Sequence, residues 1–310
     1  MSSPSYILGT EGTTSVSILK GVSGFKDCWD HVSQVMTTCS MPMQEDWTEK
    51  EFLEYLTPFL NHKESRLIMM NPDTTYEKLY TNRQIAFIDS IITRYMPPLA
   101  DIHLVPIRVW KLLMEREQLA TVDKLEKNKS ILDVCHEMMD WMNIALERNG
   151  RHEGKSYQSL EDVRDEMNAT AIADSLELSC FTLDEQALIM YRQMLYKASH
   201  PLERTSEAVL KDLYKQQDFQ TGEAFYLSID NRIDSLGLPE RLTRKLHETS
   251  RKRREIEIEN RSRKWLRPIL SAIRQTPTLI AVDIKSLYGD ESLLNLLRGV
   301  GYVVEPVIQE

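Results

Sequence analysis

Residues 279–307 constrain the fold of this chain more than any other stretch of it. The stretch reads LIAVDIKSLYGDESLLNLLRGVGYVVEPV. Its continuous apolar run, Leu279–Asp283, predicts a buried strand, and the Leu-rich run Asp290–Arg298 predicts a helix that stops at a glycine. The run Tyr302–Val307 predicts a second strand. The carboxyl terminus is therefore expected to form a compact strand–loop–helix–strand unit.

The amino terminus carries a related strand–loop pattern. Residues 7–12 read ILGTEG, an apolar run that ends in Gly-Thr and continues into Glu11 and Gly12. Strand signals concentrate in residues 1–45 and 275–310, whereas residues 46–274 are mainly helical in pattern. We expect a single 1–310 domain of the α/β (α+β) class, in which the two terminal units form a mixed sheet covered by the helical middle.

Shorter signals fill in the rest of the chain. We predict further strands at about 35–41, 67–70 and 155–159, and helices at about 76–94, 102–120, 130–148, 160–176, 183–198, 203–217 and 240–274. Thr182-Leu183-Asp184-Glu185 has the pattern of a capping box, in which the threonine and glutamate side chains satisfy backbone N–H groups at a helix start.

The motifs at the two termini resemble those of the TraB/PrgY/GumN family, relatives of the Tiki and ChaN-like metal-dependent proteins. In that family the carboxyl-terminal run reads roughly V-A-V-G-x-x-H-L-x-G…LL..LR..GY.V. The matching residues here are Ala281-Val282, Leu287, Gly289, Leu293–Arg298 and Gly301-Tyr302-Val303. The resemblance implies a Tiki/ChaN-like fold, in which the strand–loop signatures of the two termini meet in space.

The resemblance also implies which residues occupy the position of the family's metal-binding cleft. Two histidines, each a few residues after a glycine, contribute ligands there. This chain has Gly12 at the first histidine position and Ser286 at the second, and Asp283 replaces the glycine of the second motif. Gly9 and Thr10 match the L-G-T-x-H motif. The resemblance is therefore strong for the fold and weak for the chemistry.

A late helix and an acidic residue complete the family's cleft. Arg261, in IEIENRSRKWLRPI, falls on the motif arginine, and Glu161 ends the run GKSYQSLE, which matches the family's GK….LE junction. The expected carboxylate near the end of Val35–Met41 has no counterpart. We expect Arg261 to pair with Glu161 or Asp283, or alternatively to bind an anion.

The loss of both histidines favours a catalytically degenerate protein, a pseudoenzyme without catalytic residues or cofactor. We expect it to act by binding another protein or a small anionic ligand. The residues of the degenerate cleft are Gly9, Thr10, Glu11, Gly12, Glu161, Arg261, Asp283 and Ser286.

The alternative hypothesis is a divergent metal-dependent hydrolase, similar to a peptidase or an esterase. Glu11 and Asp283 would then bind a divalent ion such as Mg²⁺ or Mn²⁺ through oxygen. Glu11 lies one residue before the lost histidine, however, and a shift of one residue along a strand turns a side chain to the opposite face.

A weaker alternative involves the basic run 241–267, which could bind nucleic acid or another polyanion. Glutamates stand three and four residues from its arginines and lysines, which is typical of a salt-bridged exposed helix. The formal net charge of −9 argues against general affinity for nucleic acid.

Composition bounds the remaining possibilities. No uninterrupted apolar run reaches the roughly 18 residues that a membrane span needs, and the amino terminus lacks the basic and apolar regions of a signal peptide. The four cysteines (Cys28, Cys39, Cys135 and Cys180) form no CxxC pair, which favours reduced thiols. We therefore expect a cytoplasmic protein.

Overall fold

The computed structural model describes residues 4–12, 14–39, 74–95, 131–200 and 206–307, together with positions 48, 50, 51 and 54. Within these residues four strands form one sheet in the order β1-β4-β2-β3. The strands are β1 (Tyr6–Thr10), β2 (Gln34–Cys39), β3 (Ser156–Glu161) and β4 (Thr278–Asp283). The predicted α/β fold class is confirmed.

Helices occupy most of the remaining described chain. They are α1 (Phe25–His31), α2 (Tyr76–Leu79), α3 (Asn82–Tyr95), α4 (Ile131–Met139), α5 (Met142–His152), α6 (Val163–Cys180), α7 (Leu183–Ser199), α8 (Ser206–Lys215), α9 (Phe219–Ser228), α10 (Glu240–Arg254), α11 (Asn260–Ile273) and α12 (Leu293–Gly299). Short 3₁₀ turns lie at Val16–Gly21, Ile229–Leu236 and Ile284–Leu287. The predicted capping box at Thr182 and Glu185 opens α7. Among the described residues, no helix combines the length and apolar character that crossing a membrane requires.

The strands from the two ends of the chain lie side by side. β1 pairs with β4 in parallel, so that Tyr6 lies opposite Leu279 and Thr10 opposite Asp283. β2 pairs in parallel with the other side of β4, and β3 pairs in parallel with β2. The prediction that the two terminal strands share a sheet is confirmed. Because β4 is an inner strand of a parallel sheet, it is buried on both faces, which explains its unbroken apolar run.

The core has two layers, one on each face of the sheet. Side chains alternate along β4, so Ile280 and Val282 pack against Trp265 and Ile269 of α11, whereas Leu279 and Ala281 face the opposite layer. That opposite layer also holds Trp29, Val35, Met142 and Leu146. Helical packing on both faces leaves the two ends of the strands as the places where polar loops can gather.

Helices α10 and α11 form one long helix with a widened turn in its middle. The residues of this turn, Glu255–Glu259, adopt a π-helix, in which Asn260 N–H donates to the Glu255 carbonyl five residues earlier. Insertions of this kind inside α-helices often occur near functional sites. The widened turn lies directly before Arg261 and contacts the Ile284–Leu287 turn that follows β4.

Several expectations differ from the structure. The sheet is parallel along every described strand pair rather than mixed, and β3 joins it from within the region expected to be mainly helical. Tyr302–Val307 is not a strand: it runs without secondary structure, and Tyr302 N–H donates to Leu297 O at the end of α12. Tyr302 and Val304 pack on the core, while Val303 is 83% exposed. The alternation of packed and exposed side chains at Tyr302, Val303 and Val304 therefore arises from packing on the core and not from pairing with another strand.

Two expectations lie outside the described residues, the strand at 67–70 and the helix at 102–120. The single 1–310 domain stays a prediction.

Candidate functional site

The residues expected in the degenerate cleft gather at the carboxyl edge of the sheet. In a parallel sheet all strands end on the same edge, and ligands commonly bind there. β1 ends at Thr10, β4 at Asp283 and β3 at Glu161, whereas β2 ends at Cys39, opposite Glu161. Gly12 and Ser286 lie in the loops that follow the adjacent strands β1 and β4. We call this region the carboxyl-edge cluster; it consists of Gly9, Thr10, Glu11, Gly12, Glu161, Arg261, Asp283 and Ser286.

Gly9 and Gly12 differ in how closely the rest of the carboxyl-edge cluster packs against them. A Cβ at Gly9 would lie 2.2 Å from Ile284 Cδ1 and 3.2 Å from Leu287 Cδ1. The glycine therefore lets the turn after β4 pack directly on β1. A Cβ at Gly12 would meet no atom within 4 Å. The first histidine position thus has room for a side chain, and glycine is not required there by packing.

Arg261 and Glu161 form a buried ion pair. Arg261 Nε donates to both carboxylate oxygens of Glu161, at 2.9 and 3.2 Å, and its Nη2 also contacts Glu161. The side chains are only 11% and 6% exposed. Arg261 also reaches Glu166 at 3.2 Å and the Glu257 carbonyl at 3.1 Å. Trp265 Nε1 donates to Glu161 as well, at 3.2 Å. The arginine that falls on the family's motif position is therefore held by groups of this chain.

The pKa of Arg261 reflects this environment. Burial alone would lower the pKa of the guanidinium, but the hydrogen bonds and charge of Glu161, together with the charge of Glu166, raise it above its ordinary value. The guanidinium accordingly remains charged and paired.

Glu11 is held by its own neighbours. Its carboxylate accepts a hydrogen bond from Thr14 Oγ1 and lies 3.6 Å from Lys211 Nζ, on α8. The side chain thus has a local hydroxyl and a cation as partners. This arrangement weakens the hypothesis that Glu11 serves as a metal ligand.

Asp283 lies at the centre of the cluster. Its Oδ1 accepts a hydrogen bond of 2.8 Å from Lys285 N–H and so begins the turn that contains Ser286. Burial raises the pKa of the Asp283 carboxyl; the charge and backbone N–H of Lys285 partly offset this, and Glu166 and Glu11 raise it further. Ionisation of Asp283 is thus resisted by its surroundings.

The charge of Asp283 acts on three tyrosines that sequence reasoning missed, Tyr214, Tyr226 and Tyr288. Burial raises the pKa of Tyr226 and of Tyr288 to about 12 and also raises the pKa of Tyr214. The negative charge of Asp283 adds to the rise in pKa at all three. Tyr214 Oη donates to Gly9 O at 2.9 Å. Tyr288 is only two residues from Ser286 in the sequence. This short distance is the one sequence signal that could have linked a tyrosine to the cluster.

Helix α9 lies against the end of the loop after β4. The ring of Tyr288 lies 5.0 Å from that of Phe219 and 5.6 Å from that of Tyr226, between ring centroids. Glu223 Oε1 accepts a hydrogen bond from Gly289 N–H at 2.8 Å. A Cβ at Gly222 would lie 2.7 Å from Tyr288 Oη. One face of α9 therefore supports the loop after β4 and packs its aromatic rings against Tyr288.

Several buried polar atoms near the edge have no hydrogen-bond partner in the described part of the chain. They are Thr10 Oγ1, Asn143 Oδ1, Ser286 Oγ and, next to Arg261, Ser262 Oγ. Thr10, Ser262 and Ser286 are at most 1% exposed. Asn143 is tied to the end of β2, since its Nδ2 donates to Thr38 Oγ1 at 3.3 Å. A buried polar group without a partner costs about 1–3 kcal/mol, so several at one edge require an explanation.

The donor set does not fit the metal site that the resemblance implies. A divalent ion needs several N or O ligands at about 2.0–2.6 Å. Gly12 and Ser286 supply no imidazole, and nowhere in the described ranges do three His, Cys, Asp or Glu side chains converge in this way. Cys39 adds no thiolate, because burial and then the charge of Glu166 raise the pKa of its thiol to about 12.

The long helix that contains the basic run 241–267 has ion pairs at the predicted spacing of four residues, Arg253 with Glu257 at 3.0 Å and Arg263 with Glu259 at 3.6 Å, and others that reach outside it. Arg253 pairs with Asp174 at 2.8 Å and Arg254 with Asp230 at 2.8 Å. The helix is not exposed all round, because Leu242, Leu246 and Trp265 are buried. Its cations are thus partly committed to carboxylates of the same chain.

Comparison with known proteins gives one match. The sequence model of the TraB/PrgY/gumN family matches residues 2–306 of the chain. No curated protein and no solved structure matches it.

Proposed function

The chain belongs to the TraB/PrgY/gumN family, and on this premise we propose that it is a catalytically degenerate member that acts by binding. Its ligand would occupy the carboxyl-edge cluster, where the family resemblance places the catalytic cleft. Binding at the carboxyl ends of parallel strands needs no change in the fold, because the loops there are free to vary in side chains.

The observation that carries this proposal is the set of buried, unpartnered polar atoms at the edge. Thr10 Oγ1 and Ser286 Oγ are each able to donate and to accept one hydrogen bond or more, and Asn143 Oδ1 is an acceptor. A polar ligand, alone or with ordered water, would satisfy them. The cluster thus keeps the capacity for polar recognition although it lacks the ligands of a metal.

The state of the charged residues supports binding over hydrolysis. Arg261 already pairs with Glu161 and Glu166 and donates to a backbone carbonyl, so its charge is largely neutralised before any substrate binds. Glu11 is held by Thr14 and Lys211. A hydrolase would need these groups to be available to substrate.

An activity assay can distinguish the proposed binding protein from the alternative, a divergent hydrolase. Purified full-length protein would be assayed with peptide and ester substrates in the presence of EDTA, Mg²⁺ or Mn²⁺. Asp283→Asn serves as the matched variant, since an asparagine Oδ1 can still accept from Lys285 N–H. We expect rates at the level of the buffer blank for both proteins under all three conditions. Turnover that Mg²⁺ or Mn²⁺ stimulates and that Asp283→Asn abolishes would contradict the proposal.

A further inference from the structure

Helix α11 and the short loop after it carry an unbalanced positive charge. Residues 260–277 contain no aspartate or glutamate, although the chain as a whole has a formal net charge of −9. The five cations of this stretch are Arg261, Arg263, Lys264, Arg267 and Arg274. A basic stretch of this length in an acidic chain marks a surface that differs from its surroundings.

Two of these cations already have carboxylate partners. Arg261 is buried in its pair with Glu161 at the end of β3. Arg263 Nη2 lies 2.6 Å from a carboxylate oxygen of Glu291, which stands just before α12. The charges of both arginines are therefore balanced within the chain.

The other three cations lie on one exposed face of α11. Lys264, Arg267 and Arg274 are exposed, and none of them has an ion pair or a hydrogen bond within the part of the chain that the structure describes. They are three and seven residues apart, so the helical repeat places them on the same side. Trp265 and Ile269, on the opposite side, are buried against the sheet. The three cations thus form a solvent-facing row about 15 Å long, which we call the cationic stripe.

The dipole of the helix accounts for only one residue of the cationic stripe. A cation stabilises a helix when it lies within the last turn, near the carbonyl groups that lack partners. Arg274 directly follows Ile273, the last residue of α11, and fits this role. Lys264 and Arg267 lie more than one turn before that end. Their charges are therefore explained neither by the helix dipole nor by an ion pair among the described residues.

The length of the cationic stripe favours a short partner. At physiological ionic strength, charges are screened over about 8 Å, so a short anionic segment on the stripe interacts mainly with its three cations. A nucleic acid duplex or a membrane surface is much longer than the stripe and would also meet the acidic remainder of the protein, which repels it. A short acidic segment of another protein avoids that repulsion.

The other exposed residues of α11 favour the same partner. Besides its cations, the exposed residues of α11 are Asn260 and Ser271, both of which are polar. Single-stranded nucleic acids typically stack on exposed aromatic side chains, but the one aromatic residue of α11, Trp265, is buried. Helices that lie in a membrane interface insert an apolar face, and the apolar face of α11 is packed on the sheet. The surface therefore suits hydrogen bonds and ion pairs with carboxylates.

We propose that the cationic stripe is a docking surface for an acidic segment of a partner protein, whose carboxylates pair with Lys264, Arg267 and Arg274. Ammonium and guanidinium groups donate strong, charge-assisted hydrogen bonds to carboxylates. The stripe contains no residue of the carboxyl-edge cluster, so this inference goes beyond the binding function proposed above and does not rest on it.

The test compares an acidic peptide with its neutral isostere. Hexaglutamate and hexaglutamine, labelled with the same neutral dye, would be titrated with the purified full-length protein and followed by fluorescence anisotropy. At about 25 mM NaCl, where exposed charges are weakly screened, we expect hexaglutamate to bind at least about tenfold more tightly than hexaglutamine. The difference should shrink as the salt concentration rises.

A triple variant locates the contact. Lys264→Gln, Arg267→Gln and Arg274→Gln together remove the charges of the cationic stripe and keep its side chains polar. The variant should bind hexaglutamate about tenfold or more weakly than the natural protein. Its urea unfolding midpoint should stay near that of the natural protein, because the three side chains are exposed.

A second triple variant controls for the net charge. Lys20→Gln, Arg251→Gln and Lys252→Gln remove three cations that are likewise exposed and, among the described residues, without an ion pair. Both variants therefore lose the same charge, but the control leaves the cationic stripe intact. It should bind hexaglutamate as the natural protein does.

The remaining outcomes would overturn the proposal. Equal affinity for the two peptides would do so, and so would equal weakening in both triple variants. Tighter binding of a DNA duplex or of phosphatidylserine vesicles than of hexaglutamate would assign the surface to a different partner. If the stripe variant does not fold, Arg267→Gln alone should weaken hexaglutamate binding about threefold, and an unchanged affinity would contradict the proposal. The hydrolase assay depends on other residues, so either proposal can fail without the other.

Discussion

Arg261 donates from Nε to both carboxylate oxygens of Glu161, at 2.9 and 3.2 Å, and so ties helix α11 to the end of strand β3. Its Nη1 donates to the Glu257 carbonyl, in the π-helical turn directly before it. The contact joins residues 100 positions apart in the chain. The arginine at the family's motif position thus forms a structural connection between α11 and β3.

Arg261→Ala should destabilise the protein strongly, because it leaves Glu161 buried without its cation. Breaking a buried ion pair on one side typically costs about 3–5 kcal/mol. The control is Arg244→Ala, whose side chain is 69% exposed and pairs with Glu240 at the surface; we expect a change within about 0.5 kcal/mol. Urea unfolding of both variants measures the difference. Equal stability of the two would mean that the buried pair contributes nothing.

Gly9→Ala should also destabilise the protein, since its methyl group would overlap Ile284 Cδ1 and crowd Leu287. Overpacking of this kind typically costs about 1–3 kcal/mol. Gly12→Ala is the matched control, because no atom lies within 4 Å of the added Cβ and the backbone there is not left-handed. Its free energy of unfolding should stay within about 0.5 kcal/mol of the natural protein. The reverse order of stabilities in chemical denaturation would contradict the packing described for β1.

The pH dependence of stability should report the burial of Asp283. Burial raises the pKa of its carboxyl above the ordinary value of 3.8 in the folded protein. Its contribution to stability is therefore fully present below pH 3.8 and is lost as the pH rises through the folded pKa. Compared with Asp283→Asn, the natural protein should lose stability over that interval. Unfolding curves of both proteins across the acidic and neutral range test this; a difference that stays constant with pH would contradict it.

The two terminal strands could be predicted from the sequence because their patterns are local. The apolar run at Leu279–Asp283 indicates a buried strand, and the apolar run that ends in Gly9-Thr10 indicates the strand β1, without reference to the rest of the chain. The same holds for α7, whose start is marked by Thr182 and Glu185. Such signals depend on the backbone and the nearest side chains alone.

The features that were missed depend on distant residues. Helix α9 contains Thr221 and Gly222, which are weak helix formers, and its inner face is defined only by contact with Tyr288 and Gly289. Tyr302–Val307 has the composition of a strand, but a strand exists only if a neighbour pairs with it. Tyr214, Tyr226 and Tyr288, whose pKa values the charge of Asp283 raises, come from separate elements, so no spacing in the sequence could have joined them.

The metal content of the purified protein tests the central claim most directly. Full-length protein, prepared without chelator and desalted, would be analysed for transition metals, magnesium and manganese beside Asp283→Asn. Because Gly12 and Ser286 supply no imidazole and Glu11 is held by Thr14 and Lys211, we expect far less than one ion per chain in both proteins. About one tightly held ion per chain, lost on Asp283→Asn, would contradict a catalytically degenerate binding protein and favour the divergent hydrolase.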